Sequence, residues 1–417
     1  MDIKYRQLQP VLGTMLITAA VLLSYRFAWD SIDSFVRAID HTDLLFADFV
    51  RHYYPMGRVV FDSHLPVEGF YYPPLFALAL SLPASLSLKN AIWGWGTIQV
   101  VSAFLIALIP GCYFWKRSQP MFYLCFLLTL SSYPLLHNFK WGQASVLVML
   151  CVLTSFVLYD RKRIIVAAMI LSAAVAIKYY AVLFLILFLF RRDFRFLKAF
   201  AAGSVLFWVL IPLAFFGVDD TIRFYEVLTG SFFGLADWTP HDINSQYIAH
   251  VAARIWPTIS SGVWPAILGY MVAVGNIFLL YKTIRKKLDL ESLWALTLIF
   301  TTLPNVLITS WPHYFVYLPL AQVFVGHAVV RGNSQRLVKS LQVILLIIPS
   351  VIFSSIYFFN IIDDRILYVR NGYLFFSNLL LLLAIWWHLC PRLFGQQRVS
   401  NIARSGDWSF KRQPKSD

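Results

Sequence analysis

The chain has 417 residues, 59% of them hydrophobic and only 13% charged, with a mean hydropathy of +0.66. Soluble domains carry about 25% charged residues, so this chain cannot cover a water-facing surface of ordinary size, and a string of soluble domains is excluded. The formal net charge of +14 would suit nucleic acid, but no basic face with interleaved aromatics exists outside short loops.

Apolar runs recur from Val11 to Trp387, which argues for one membrane-embedded unit over residues 1–392, with a basic tail over 393–417. The basic residues sit in short clusters between those runs: Lys4 and Arg6, Lys116-Arg117, Arg161-Lys162-Arg163, and Arg191-Arg192 with Arg195 and Lys198. They continue at Lys282, at Arg285-Lys286-Lys287, at Arg331 with Arg336 and Lys339, and in the tail from Arg392 to Lys415. Such clusters mark cytoplasmic loops and orient the chain. The first run, Val11 to Phe27, is long enough to span, and no small-residue cleavage site clearly follows it, so it reads as a span and not a cleaved signal. A polar and aromatic stretch, Ser31 to Tyr72, is then external, and Ile92 to Trp115 returns to Lys116-Arg117 inside. Hairpins with cytoplasmic feet follow: Met121 to Leu136 with Ser145 to Tyr159, then Ile164 to Ile177 with Ala181 to Phe190. Leu197 to Phe216 leads out to a second external loop, roughly Gly217 to Gly262. Trp264 to Tyr281, Leu293 to Ile308 and Phe315 to Val330 cross in turn, and Leu341 to Phe359 with Tyr373 to Leu389 complete the bundle.

The segment Leu75 to Leu88 is short and interrupted by Pro83, and counting it as a crossing inverts every later loop. It reads as an external or re-entrant element covered by protein. The expectation is an all-α polytopic membrane protein with about twelve transmembrane helices, at roughly 17–25 residues for a normal span, and two long external loops. Cys112, Cys125, Cys151 and Cys390 lie in or beside apolar runs and read as small core residues.

With this threading the unusual polar residues fall on the outer side. The first loop carries Asp48, Arg51, His52 and Tyr53-Tyr54-Pro55, and ends in Phe70-Tyr71-Tyr72-Pro73-Pro74. One hairpin tip is His137-Asn138-Phe139-Lys140-Trp141-Gly142-Gln143, and the next is Lys178-Tyr179-Tyr180. The second loop carries Asp237-Trp238-Thr239-Pro240-His241-Asp242 and Asn244-Ser245-Gln246, and Ser310-Trp311-Pro312-His313-Tyr314 caps a later pair. Each has a plain structural reading: Asp48 as a solvated loop carboxylate, Tyr72-Pro73-Pro74 as a helix start, Lys178 as a snorkelling lysine, His313 as an interfacial belt residue. Lys178 strains that reading most, because a lysine at membrane depth costs roughly 2.5–3.5 kcal/mol on insertion scales. Together they are the residue types that an anionic lipid and a sugar require. Cations hold a phosphate, aromatics stack on sugar rings, amides bond hydroxyls, and a carboxylate or histidine takes a proton. Asp237, His241 and Asp242 read as a solvated loop, and no metal or other cofactor is expected.

These elements resemble glycosyltransferase family 87, polyprenyl-phosphate-sugar-dependent transferases of the GT-C fold that include the mycobacterial phosphatidylinositol mannoside mannosyltransferases. The resemblance runs from about Val11 to Leu320, with the motifs in the family's order. It implies Asp48 as catalytic base and His313 at the reaction centre, with Lys178, Lys140 and Arg51 near the donor phosphate. Tyr72, Gln143, Asn244, Gln246 and Trp311 become sugar or acceptor contacts. The family's Lys-x-x-Pro is here Lys178-Tyr179-Tyr180-Ala181, and its Asn-Gln-Ser is Asn244-Ser245-Gln246. The implied activity is an inverting transfer of a sugar, a hexose such as mannose, from a polyprenyl-phosphate donor to an external glycolipid or glycan acceptor. The expected location is a bacterial inner membrane with the site on the external face. The alternatives are a lipid or sugar transporter, a non-catalytic lipid-binding protein, and a GT-C transferase using a pentose such as arabinose.

Overall fold

The computed structural model describes residues 46–114, 118–258, 263–332 and 334–394, without the side chains of residues 236–238 and 241. The expected first span, Lys4, Arg6, Lys116-Arg117 and the tail after Phe394 therefore lie outside the described residues, as do the side chains of Asp237, Trp238 and His241. Among the described residues there is no strand, and Ser132 with Ser355 makes one isolated bridge.

The chain is an integral multi-pass membrane protein. Six helical stretches are long and apolar enough to cross a bilayer: Leu88–Phe114, Phe194–Leu235, Trp264–Arg285, Pro312–Arg331, Arg336–Ser354 and Tyr373–Phe394. Large apolar side chains stand exposed along them, among them Phe104, Phe215, Trp264, Met271, Val274, Ile344 and Leu345. In water such a surface would be a liability, and against lipid tails it is the natural outer face.

The other apolar elements are shorter than the expected full spans: Pro74–Ala84, Gln119–Leu130, Ser145–Asp160, Ile164–Ile177 and Tyr179–Arg191. Several expected runs are broken by local chemistry. Met121 to Leu136 divides at Ser131-Ser132 into Gln119–Leu130 and Tyr133–Trp141, with Pro134 at the second helix's start. The expected tip at Lys178 is an extended residue (φ −141°, ψ 117°) after Ile164–Ile177, and the returning run begins as a 3₁₀ segment, Tyr179–Phe184. The segment expected as a second long external loop is largely helical: helix runs on to Trp238, a 3₁₀ turn Thr239–His241 follows, and Ile248–Ile255 is a further helix.

Short helices make sense where protein, not lipid, surrounds them. Ile164–Ile177 buries Ala167, Ala168, Leu171, Ala174, Val175 and Ala176, and Ser145–Asp160 buries Val148, Val152, Leu153 and Phe156. Small residues on one helix allow the neighbouring backbones close approach. At the basic end the hairpins are pinned: Arg191 Nε meets Glu291 Oε1 at 2.7 Å, and Asp193 caps its helix by accepting from Phe196 N at 3.0 Å. At the other end those same short helices stop at Lys178 and Ser145, and there the polar residues gather.

Candidate active site

The site begins with a turn. Tyr133–Trp141 ends at Gly142, which is left-handed (φ 64°, ψ 33°). Gly142 N bonds Phe139 O at 3.1 Å and Gln143 N bonds Asn138 O at 3.0 Å, the paired closure of a Schellman cap. Glycine is required twice over, since a Cβ there would meet Phe49 Cβ at 2.9 Å and Phe46 Cβ at 3.0 Å. The Leu88–Leu108 helix clamps the turn: Trp95 Nε1 donates to Gly142 O at 2.8 Å and Gln99 Nε2 to Gln143 O at 2.7 Å. Gln99 Oε1 in turn accepts from Asn138 Nδ2 at 2.5 Å.

So fixed, Gln143 becomes a hub. Its Oε1 accepts from Lys178 Nζ at 2.9 Å and from the Tyr72 hydroxyl at 3.1 Å, while its Nε2 donates to Asp48 Oδ2. The Tyr53 hydroxyl lies 3.2 Å from the same Oε1 and 2.5 Å from the Tyr72 hydroxyl. A hydroxyl has one proton, so the consistent chain is Tyr53 to Tyr72 to Gln143. Lys178 also donates to Ser145 Oγ at 3.0 Å and lies 4.6 Å from the centre of the Tyr314 ring. It is 2% exposed, and no carboxylate among the described residues pairs with it. Burial raises the Asp48 carboxyl above the ordinary carboxylate range, against the hydrogen bond from Gln143 and the nearby positive charges of His52, Lys178 and Arg51.

His313 lies beside this hub, its ring 4.9 Å from Tyr314 and 5.8 Å from Trp311. Neither of its ring nitrogens has a protein partner, although the side chain is 2% exposed. An aromatic cleft opens between Tyr71, Tyr72, Lys178, Tyr179, Thr309, Trp311 and Tyr314, with Leu235 at its edge. Its free volume is about 20 Å³, room for a water and not for a sugar.

The expected site residues therefore separate. Asp48, Tyr72, Gln143 and Lys178 are brought together, with Arg51 exposed nearby and His313 and Trp311 adjoining. Lys140 stands with Arg365 instead of Lys178, since Arg365 is the charge that acts on it. Gln246, expected as a sugar contact, is fully buried and bonds backbone: Nε2 donates to Val369 O at 3.0 Å and Oε1 accepts from Phe375 N at 3.3 Å. Its own N–H bonds Ser310 O at 2.8 Å, so it braces the His313 segment. Asn244 bonds Asp242 and accepts from Arg365 Nη2 at 3.2 Å. Tyr53, Ser145, Tyr314, Gln99 and Asn138 join the site without having been assigned a role from sequence. Tyr53 and Asn138 stood inside quoted motifs, while Gln99 sat in an apolar run where only its polarity was a signal.

A larger cavity of about 350 Å³ lies elsewhere, lined by Cys112, Tyr113, Asp160, Arg191, Leu290, Glu291 and Ser292. Arg191 pairs with Glu291 there and Ser292 donates to Asp160 at 2.8 Å, while Arg191 Nη1 and the Tyr113 hydroxyl have no protein hydrogen-bond partner. The Gln143 hub is the candidate site, where the Asp48 carboxyl and the buried Lys178 amine share one amide.

Fold and site together define a multi-pass membrane protein, helical over its described residues, in which one buried amide joins a carboxyl and a lysine amine. The model of glycosyltransferase family 87 matches residues 70–310, more than half of the chain, and the protein belongs to that family. It is a membrane glycosyltransferase. Tyr72, Gln143 and Lys178 lie within the matched stretch, Asp48 before it and His313 just after it. No curated protein and no solved structure matches the chain.

Proposed function

We propose that this enzyme moves a sugar from a polyprenyl-phosphate donor to a lipid-linked or glycan acceptor on the external face, with inversion at the anomeric carbon. The observation that carries the reading is Lys178, a buried lysine without a carboxylate partner among the described residues, one amide away from Asp48. An arriving phosphate would favour its charged form. A buried unpaired charge is costly, and a donor phosphate arriving at Lys178 would neutralise it.

In this reading the polyprenyl chain lies against the exposed apolar helices and the sugar phosphate enters the aromatic cleft. Asp48, oriented by Gln143, accepts the proton of the acceptor hydroxyl as its oxygen attacks the anomeric carbon. The bond from that carbon to the phosphate oxygen breaks, and the phosphate leaves with the electron pair. Its second pKa is about 6, so it departs as an anion and needs a cation more than a general acid. Lys178 supplies that charge, and His313 offers a ring N–H to the same phosphate. Tyr72 and Trp311 flank the sugar. A single displacement requires no covalent sugar–enzyme intermediate.

The test is transfer of radiolabelled sugar in proteoliposomes, run in parallel with a polyprenyl-phosphate hexose and a polyprenyl-phosphate pentose. Product carrying a new glycosidic bond is expected, whereas movement of unaltered donor across the bilayer would support a transporter. Asp48→Asn is expected to lower turnover by about 10²–10⁴-fold, the usual span of general-base catalysis. A loss below about tenfold would remove Asp48 from that role.

A further inference from the structure

A second group of cations and unspent donors lies on the helix that carries the hub. His137, Lys140 and Trp141 are spaced i, i+3 and i+4 on Tyr133–Trp141, so they share one face. The Arg365 guanidinium sits 5.3 Å from the centre of the Trp141 ring. The His137 ring is 5.9 Å from the Trp141 ring and 5.6 Å, nearly parallel, from the His313 ring. His137 is 4% exposed, yet both its ring nitrogens and the indole N–H of Trp141 lack a protein partner. Lys140 and Arg365 have no carboxylate partner among the described residues. Asn244 is the acceptor of Arg365 Nη2, and Asp242 is spent on Trp311 Nε1 at 2.6 Å and on Asn244.

We infer that Lys140, Arg365, His137 and Trp141 form a second anion site, which takes a phosphate group separate from the one at Lys178. Each group has a use there that the fold alone does not give it. Adjacent cations repel unless an anion lies between them, and a guanidinium supplies paired donors to phosphate oxygens. Buried N–H groups left without partners cost free energy that an acceptor oxygen would return. Lys140 is exposed and His137 buried, so the site grades from a wet mouth to a dry floor. Burial, then the charges of Arg365 and Lys140, lower the His137 imidazole well below its usual range, leaving it a neutral donor at pH 7. Two sources fit this chemistry: a phosphate carried by the acceptor lipid, or a free phosphate. Only the contrast with Lys178 as the donor's site rests on the function proposed above.

The experiment measures phosphate binding and not sugar transfer, so it is decided independently of that function. The full-length Lys178→Met protein, delipidated in a maltoside detergent and phosphate-free buffer, is titrated with inorganic phosphate and followed by ³¹P line broadening and by the thermal midpoint. Saturable binding is expected, weakened about tenfold or more by adding Arg365→Gln or Lys140→Gln. Absence of saturable binding, or binding unchanged by both additions, overturns the site. If Lys178→Met does not fold, Trp141→Phe in the wild-type background removes the indole N–H and keeps an aromatic ring at that position. It is expected to weaken one of two binding components several-fold, and a single unaltered component overturns the site. Dihexanoyl phosphatidic acid then separates the sources: tighter binding than inorganic phosphate assigns a lipid phosphate, and equal binding a free one.

Discussion

Gln143 shows how much of this site depends on which way one amide faces. With Oε1 filled by Lys178 and Tyr72, only Nε2 is left for Asp48, and the carboxylate receives a donor. Sequence reasoning reached Asp48, Gln143 and Lys178 because a polar residue beside an apolar run is conspicuous. It had no access to their linkage, which follows from side-chain orientation. It also credited Gln246 with substrate contact, when both ends of that amide are occupied by backbone. The shifted Asp48 carboxyl makes a pH prediction. A carboxyl raised by burial is charged only above that raised value, so the base is present at high pH and lost as pH falls through it. The acid limb of kcat/KM is therefore expected above the ordinary carboxylate pKa of about 4, and an acid limb at or below about 4 would contradict it. Gly142→Ala is expected to cost about 1–2 kcal/mol from the left-handed backbone alone. The crowding at Phe46 and Phe49 should add to that, and would shift Asp48 off Gln143. Thermal unfolding in detergent and turnover measured together should both fall.

Among the elements, Pro74–Ala84 bears most on the path of the chain. Its 11 residues rise about 16 Å, roughly half of the 30 Å hydrocarbon layer. It packs closely against the preceding helix, where a Cβ on Gly57 would meet Leu80 O at 2.3 Å. The sequence made this segment legible as short and proline-broken, and charge placement argued that it does not cross. The break at Lys178 falls at an expected hairpin tip, but hydropathy alone gives no warning that Ser131-Ser132 will interrupt the run from Met121 to Leu136. Impermeant maleimide supplies the test. In a background lacking Cys112, Ser87→Cys is expected to be labelled from outside intact spheroplasts. Labelling only after lysis would place Ser87 inside and reverse the threading that follows.

For the whole molecule, the short interior helices set the depth of the chemistry. Ile164–Ile177 has 14 residues and rises about 21 Å, so Lys178 stands about 9 Å short of the far edge of a 30 Å layer entered at Arg163. Composition announced a membrane protein, and the basic clusters supplied an expected orientation for it. Neither carried the information that the central helices would be shorter than the outer ones, because surrounding protein replaces lipid as their solvent. On the function proposed above, such a recess would let a lipid-borne phosphate reach Lys178 while the acceptor arrives from water.

Gly217 interrupts the long stretch Phe194–Leu235 at φ 80° and ψ −179°, a conformation essentially confined to glycine. Beyond it the helix reaches the aromatic cleft, where Phe232 meets Tyr179 at 4.8 Å between ring centres and Leu235 lines the edge. Mechanically this is a lever pivoted on one residue, with an arm of about 27 Å from Gly217 to Leu235. Turning that arm by about 10° would carry its tip roughly 5 Å, enough to admit a sugar ring to a cleft that holds only a water. No atom lies within 4 Å of a Cβ built at Gly217, so Gly217→Ala alters the pivot without a clash. Its cost is the strain of the positive φ, so the melting temperature is expected to fall modestly, with about 1–2 kcal/mol of stability lost. Turnover on lipid-linked donor is expected to fall by about tenfold, more than that stability loss explains, as a hinge change does. Unchanged turnover would mean that the cleft opens by some other movement. Val218, Ile222 and Phe233 stand exposed along that arm, so if the arm turns, its apolar face turns with it, and turnover in bilayers of different thickness would then be expected to differ.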